Sequence, residues 1–167
     1  MTAAQREQIW RIAWLLLAAW TPPPLRPWRR VVLRLFGAKV SNSAGIYGSA
    51  RIRHPENFEI GAFAYVGPGA AIDCAAKVRL GDYSLVSQGG KIETGAAALS
   101  DAEAARGGVD VGAYAWIAAE AYVAPGVTVG DGAVLGARAC AFEDLAPWTI
   151  YIGNPATALR PRRRAAG

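Results

Sequence analysis

From residue 40 onward the chain places an aliphatic side chain at every sixth position. The series runs Val40, Ile46 and Ile52, then Ile60, Val66, Ile72 and Val78. After a two-residue phase shift it resumes at Leu80, Val86 and Ile92, and it returns at Val111, Ile117, Val123, Val129 and Leu135. Between these anchors stand mostly Ala, Gly, Ser, Pro and Asp. A helix repeats about every 3.6 residues and a strand every two, so neither gives this spacing. A hexapeptide repeat specifies an all-β fold, the parallel β-helix. Each rung is one short strand and one tight turn, three rungs close a triangular coil, and anchors of successive coils stack inside the prism. Small residues fill the other positions because every corner turns sharply and the bore is narrow.

The repeat also divides the chain. Residues 1–39 form a helical, basic segment, 40–147 the β-helix of about five coils, and 148–167 a turn followed by an Arg-rich tail. The repeat breaks between Ile92 and Val111, where residues 96–108 (AAALSDAEAARGG) carry no anchor. They read as a loop thrown out from the prism, and functional residues concentrate on such excursions from a rigid scaffold.

Composition excludes several classes. With 53% hydrophobic residues in 167, the chain has a core and is not intrinsically disordered. Two cysteines, Cys74 and Cys140, make no disulfide framework, and their alanine-rich surroundings suit small-residue packing. His54 is the single histidine, so a histidine-built metal centre is excluded and no metal is expected. The net charge of +5 is unevenly spread. Residues 40–159 hold seven basic and twelve acidic side chains, and the flanks hold eleven basic and one acidic. A nucleic-acid footprint would run along the folded body, so no nucleic acid is expected; Arg-rich ends suit phosphate or an anionic membrane surface.

No secretory signal is convincing, and the expected location is cytoplasmic. Ile9–Trp20 (IWRIAWLLLAAW) is apolar, yet it contains Arg11 and is too short to span a bilayer unaided. Two readings stay open. One is a helix packed on the rest of the protein. The other is an interfacial helix with Trp10, Trp14 and Leu17 on one side and Arg6 and Arg11 at its edge, giving peripheral association with the inner face of the membrane. A second stretch, Trp28–Phe36 (WRRVVLRLF), is more clearly amphipathic and stops at Gly37.

Several motifs carry a family likeness. They are Trp28-Arg29-Arg30 through Leu35-Phe36-Gly37-Ala38-Lys39, His54-Pro55-Glu56-Asn57-Phe58-Glu59-Ile60-Gly61, Ser87-Gln88, Thr94-Gly95, Trp116-Ile117-Ala118-Ala119, Pro125-Gly126-Val127, Gly136-Ala137 and Gly153-Asn154-Pro155-Ala156. With them the chain resembles, over nearly its whole length, the hexapeptide-repeat acyltransferases with a left-handed β-helix, in particular the O-acetyltransferases of the colanic acid biosynthesis type. The resemblance implies a homotrimer that holds acetyl-CoA in a groove between neighbouring prisms and acetylates a sugar or exopolysaccharide precursor. It places the pantetheine arm along the later coils, near Ala119 and Ala137. Trp116 is either a wall of the groove or a core or trimer-contact residue. Asn154, in the C-terminal turn, belongs to the implied cofactor-binding set, and Arg160, Arg162 or Arg163 would meet the adenosine phosphates, where bidentate guanidinium pairing suits the charge. Asp73, Ser87 and Gln88 fall on the acceptor side.

One departure stands out. In the family a Thr-Gly pair leads to a histidine that acts as general base on the acceptor hydroxyl. Here Thr94-Gly95 is followed by Ala96-Ala97-Ala98, so the expected histidine position, Ala96 or Ala97, offers no base. His54 lies about two coils earlier, in a segment that is not catalytic in the family. Glu93 and Asp101 are weak substitute candidates, with Glu103 beside them in the loop. A carboxylate near pH 7 is a poor base unless its pKa is raised. The alternative is a catalytically silent β-helix homologue that serves as a scaffold or partner subunit.

Overall fold

A computed structural model describes residues 3–94 and 107–163. It is a three-sided parallel prism capped at its N-terminal end by helices. Face A holds β1 (Lys39–Val40), β4 (Phe58–Ile60), β7 (Val78–Leu80), β10 (Val109–Val111) and β13 (Thr128–Val129). Face B stacks β2 (Gly45–Ile46), β5 (Tyr65–Val66), β8 (Leu85–Val86), β11 (Trp116–Ile117) and β14 (Val134–Leu135). It then adds β16 (Thr149–Ile152) and the antiparallel β17 (Thr157–Pro161). Face C holds β3 (Arg51–Arg53), β6 (Ala71–Asp73), β9 (Lys91–Glu93), β12 (Tyr122–Val123) and β15 (Cys140–Ala141).

The sixfold anchors pair in register. Val40, Ile60, Leu80, Val111 and Val129 form one internal column. Ile46, Val66, Val86, Ile117 and Leu135 form the second, and Ile52, Ile72, Ile92 and Val123 the third. All of them are buried. The phase shift has a local cause. Val78 and Leu80 both point inward from the single strand β7, as Phe58 and Ile60 do from β4. The two extra residues of these coils therefore lie in the corner between faces C and A. In the first coil that corner is the single-turn helix Pro55–Asn57.

The corners demand unusual backbone. Phe63, Tyr83, Tyr114 and Trp148 all have φ between 53° and 59° on the corner between faces A and B, a left-handed conformation costing roughly 1–2 kcal/mol for an L-residue. Their rings form a ladder: Phe63 stacks on Tyr83 at 5.0 Å, Tyr83 on Tyr114 at 5.0 Å, and Tyr114 meets Trp148 at 6.4 Å. The rung between the last two is Gly132 (φ 65°), where a Cβ would lie 2.5 Å from the Trp148 ring. Glycine there lets the tryptophan fold over the corner.

The N-terminal cap follows from the carbonyls left at the edge of the prism. Between coils the N–H groups donate both forward, as in Gly45 to Ala64, Tyr47 to Val66 and Arg51 to Ala70, and back, as in Tyr83 to Ala62 and Gly89 to Pro68. The first coil has no coil on its N-terminal side, so the carbonyls along that edge need donors from elsewhere. The donors come from α1 (Ala3–Trp14), which continues as a wider turn through Leu15–Ala19, and from α2 (Arg26–Leu35). Val40 O accepts from Arg34 (2.9 Å), Ala44 O from Arg30 (3.0 Å) and Ile46 O from Arg29 (2.9 Å). Ala50 O accepts from the Trp14 indole (3.1 Å) and Ile52 O from the Trp10 indole (2.6 Å). Arg29 is fully buried and also donates to Thr21 and to the carbonyls of Thr21 and Pro22; burial pushes its pKa down. On the first helix Trp10 and Trp14 are buried against the prism, as the packed reading requires, while Leu17 is exposed.

Two stability outcomes follow. Ile117→Ala, which opens a void between Val86 and Leu135, lowers unfolding free energy by about 2–5 kcal/mol in chemical denaturation. Arg29→Ala, which strands buried carbonyls, costs about 3 kcal/mol in the same measurement, and Arg29→Lys recovers little because one ammonium cannot replace the guanidinium fork.

Candidate functional site

The residues singled out in the sequence gather at two corners of the prism. Ser87, Gln88, Ala119 and Ala137 stack along the corner between faces B and C. There Glu120 N–H donates to Gln88 O (3.0 Å) and Arg138 N–H to Ala119 O (2.9 Å). Trp116 opens β11 and stands on the outer side of face B, 41% exposed, outside the core. Its indole donates to Ser87 Oγ at 2.8 Å, which fixes the ring across the neighbouring coil. Ala119 and Ala137 leave the backbone of this corner uncovered, so an extended ligand can approach it.

Register extends this edge toward the C-terminus. Trp116 pairs with Val134, Val134 with Ile150, and Ile150 with Arg160, a column about 14 Å long at the usual strand spacing. Arg160 is exposed at its end, and Asn154 is exposed in the turn between β16 and β17. Arg162 lies elsewhere. Its guanidinium donates to Tyr114 O (2.8 Å) and Gly132 O (3.0 Å) and sits 5.8 Å over the Trp148 ring, closing the aromatic ladder on the opposite corner.

Asp73 and Glu93 belong to the second group, where face C turns toward face A. Arg53, Asp73 and Glu93 are register partners on consecutive strands. The two carboxylates therefore project from adjacent rungs about 4.8 Å apart. Arg53 donates to Glu7 of α1 at 2.7 Å and reaches Asp73 Oδ2 at 3.5 Å. That hydrogen bond from Arg53 holds the Glu7 carboxyl below the usual range. The Tyr122 hydroxyl donates to Glu93 Oε2 at 3.2 Å. Burial first, and the neighbouring Glu93 second, push the Tyr122 pKa up to about 12, so it remains a donor at neutral pH. Asp73 Oδ1 is buried and has no hydrogen-bond partner. An orphaned carboxylate oxygen of this kind keeps unused acceptor capacity.

These groups line a cleft of about 530 Å³ between α1 and face C, with Trp10 and Trp14 as its apolar wall and Arg11, Arg51 and Arg53 as its cations. Thr94, at the exit from β9, is buried. Its hydroxyl accepts from Ala76 N–H (2.9 Å) and donates to Asp73 O (2.8 Å), so it fixes the strand end that carries Glu93. His54 lies at the same corner two coils down, 3.8 Å from Glu7. Ala96, Ala97, Asp101 and Glu103 lie outside the described residues. Arg53, Glu7 and Tyr122 escaped the sequence reading. Arg53 was legible in principle, since residues 53, 73 and 93 repeat at the length of one coil. Glu7 and Tyr122 carry no such signal. Among the described residues no three His, Cys, Asp or Glu side chains converge as a metal site.

No family model matches the sequence. The WcaF protein of Escherichia coli K12, assigned to colanic acid biosynthesis as an acetyltransferase, is 34% identical over 161 residues, covering 95% of this chain and 88% of that one. A maltose O-acetyltransferase from Clostridium difficile 630 superposes with a TM-score of 0.83 at 20% identity, over 97% of this chain and 89% of its own. A galactoside acetyltransferase in complex with coenzyme A gives 0.78 at 19% identity, over 96% and 82%. The two structures establish the fold as the left-handed β-helix, and the relation to WcaF runs through the helical cap, every coil and the C-terminal turn: the chain belongs to the hexapeptide-repeat acetyltransferases of the colanic acid biosynthesis type.

Proposed function

We propose that the protein transfers an acetyl group from acetyl-CoA to a hydroxyl of a sugar or exopolysaccharide precursor, as a homotrimer with the donor in a groove between prisms. The observation that carries this is the 34% identity to WcaF across 95% of the chain. The geometry supports it with two complementary surfaces. The edge from Trp116 through Ala119 and Ala137 suits a narrow pantetheine arm, and Arg160 at the end of the Trp116 column suits phosphate. Ser87 and Gln88, expected with Asp73 on the acceptor side, lie instead beside Trp116 on this edge. Acetyl-CoA supplies the activated acyl group as its thioester.

The chain's own part is to hold the acceptor and take its proton. In place of the missing histidine, the carboxylate pair of Asp73 and Glu93 accepts the proton of the acceptor hydroxyl, with Tyr122 holding Glu93 in place. The acceptor oxygen then bonds to the acetyl carbon, the carbon–sulfur bond breaks, and the proton returns to the departing thiolate. The products are the O-acetyl ester and the free thiol of coenzyme A. Arg53 orients Asp73 through its contact with Oδ2.

Purified protein incubated with acetyl-CoA and a panel of hydroxylated sugars should release free thiol. Asp73→Asn and Glu93→Gln should each lower kcat by about 10²–10⁴ with the Kd for coenzyme A unchanged. Ala96→His or Ala97→His should raise kcat by restoring an imidazole to the position the family uses. Tight coenzyme A binding with no turnover on any sugar would instead support the silent homologue, and absence of coenzyme A binding would overturn both readings of the groove.

A further inference from the structure

Helix α2 buries Arg29 together with Val32 and Leu33 against the prism. Arg29, Arg30 and Arg34 hold first-coil carbonyls, and Arg26 lies 5.4 Å over the Tyr65 ring. That leaves Trp28, Val31 and Leu35, spaced i, i+3, i+7, on the outer side. On the first helix and its continuation, Ile9, Ile12, Leu16 and Trp20 repeat the same spacing, also outward. The exposures of these seven run from 42% at Trp28 and Val31 to 76% at Leu35, far beyond scattered surface apolar residues. The two stripes meet at a shallow groove of about 360 Å³ lined by Leu16, Leu17, Trp20, Leu25 and Trp28. Both outward tryptophans satisfy their N–H internally, Trp20 on Leu16 O (2.6 Å) and Trp28 on Leu17 O (2.7 Å). Each indole thus shows an apolar ring with no hydrogen bond left to make.

Charge identifies the occupant. Residues 1–39 carry seven basic side chains and one acidic, against seven and twelve on residues 40–159, although Arg29, Arg30 and Arg34 are turned to first-coil carbonyls. Exposed Arg6 and Arg11 flank the first stripe. Two such caps brought face to face would repel, whereas an anionic bilayer attracts the charge and accepts the Trp, Leu and Ile side chains at headgroup depth. No helix among the described residues is long and apolar enough to cross a membrane. We infer that the helical cap docks flat on an anionic lipid surface through Ile12, Leu16, Trp20, Trp28, Val31 and Leu35, holding the prism at the bilayer.

Flotation of the full chain with lipid vesicles tests this. The protein should float with phosphatidylcholine vesicles that contain phosphatidylglycerol at roughly one lipid in three, and not with phosphatidylcholine alone. The double variant Val31→Ser/Leu35→Ser, at positions with no hydrogen-bonding duty, should cut binding about tenfold or more while leaving the melting temperature and the size on gel filtration unchanged. The idea fails if wild type ignores anionic vesicles or if the variant binds them equally well. It fails also if the variant changes the oligomeric state, because a second copy of the chain would then be what covers this face.

Discussion

The first coil has no neighbour on its N-terminal side, and the carbonyls left along that edge govern the rest of this molecule. Donors close them, and the residues that do so are arginine and tryptophan, side chains with donors and no acceptor. Five carbonyls around the first coil are met in this way, on all three faces. The cap is therefore part of the sheet's hydrogen-bond network as well as a lid over its bore. It also helps set the orientation of α2, whose guanidinium groups reach the edge beside the buried Val32 and Leu33. Trp28, Val31 and Leu35 are left on the outer side of the helix.

The opposite requirement appears at the corners. Left-handed backbone at Phe63, Tyr83, Tyr114 and Trp148 opposes folding at each turn, and glycine would relieve it. The chain instead keeps aromatic rings there and offsets the strain by stacking them across coils, at about 0.5–1.5 kcal/mol per pair. Arg162 then clasps the last rung by its two carbonyl contacts. Part of the Arg-rich tail is thereby structural, which concentrates the cofactor reading of that tail on Arg160.

Much of this was legible in the sequence because it rests on a strict period. The hexad fixed which residues point inward, and those columns pair in register from Val40 to Leu135. The same period carried Asp73 and Glu93 to one corner. Side-chain partners across elements follow no period. Glu7 reaching Arg53 and Tyr122 reaching Glu93 depend on how α1 and a neighbouring coil happen to lie. Helical periodicity found the stripe of Trp10 and Trp14 and also the amphipathic character of Trp28–Phe36. It could not tell which side of either faces the prism, since that depends on a carbonyl edge visible only once the coil is closed.

The division of the candidate site between two corners has its own consequence. A face C strand from Gly90 to Glu93 spans about 10 Å, so the Trp116–Ser87 edge and the Asp73–Glu93 pair of one prism are held apart by a rigid wall. No side-chain rotation brings a thioester lying along the first edge within reach of a hydroxyl held at the second. A second prism would remove the difficulty by setting its own carboxylate corner across from the first prism's Trp116. The trimer proposed for the protein thus has a chemical reason beyond stability: each site would take its donor surface from one chain and its proton acceptor from the next.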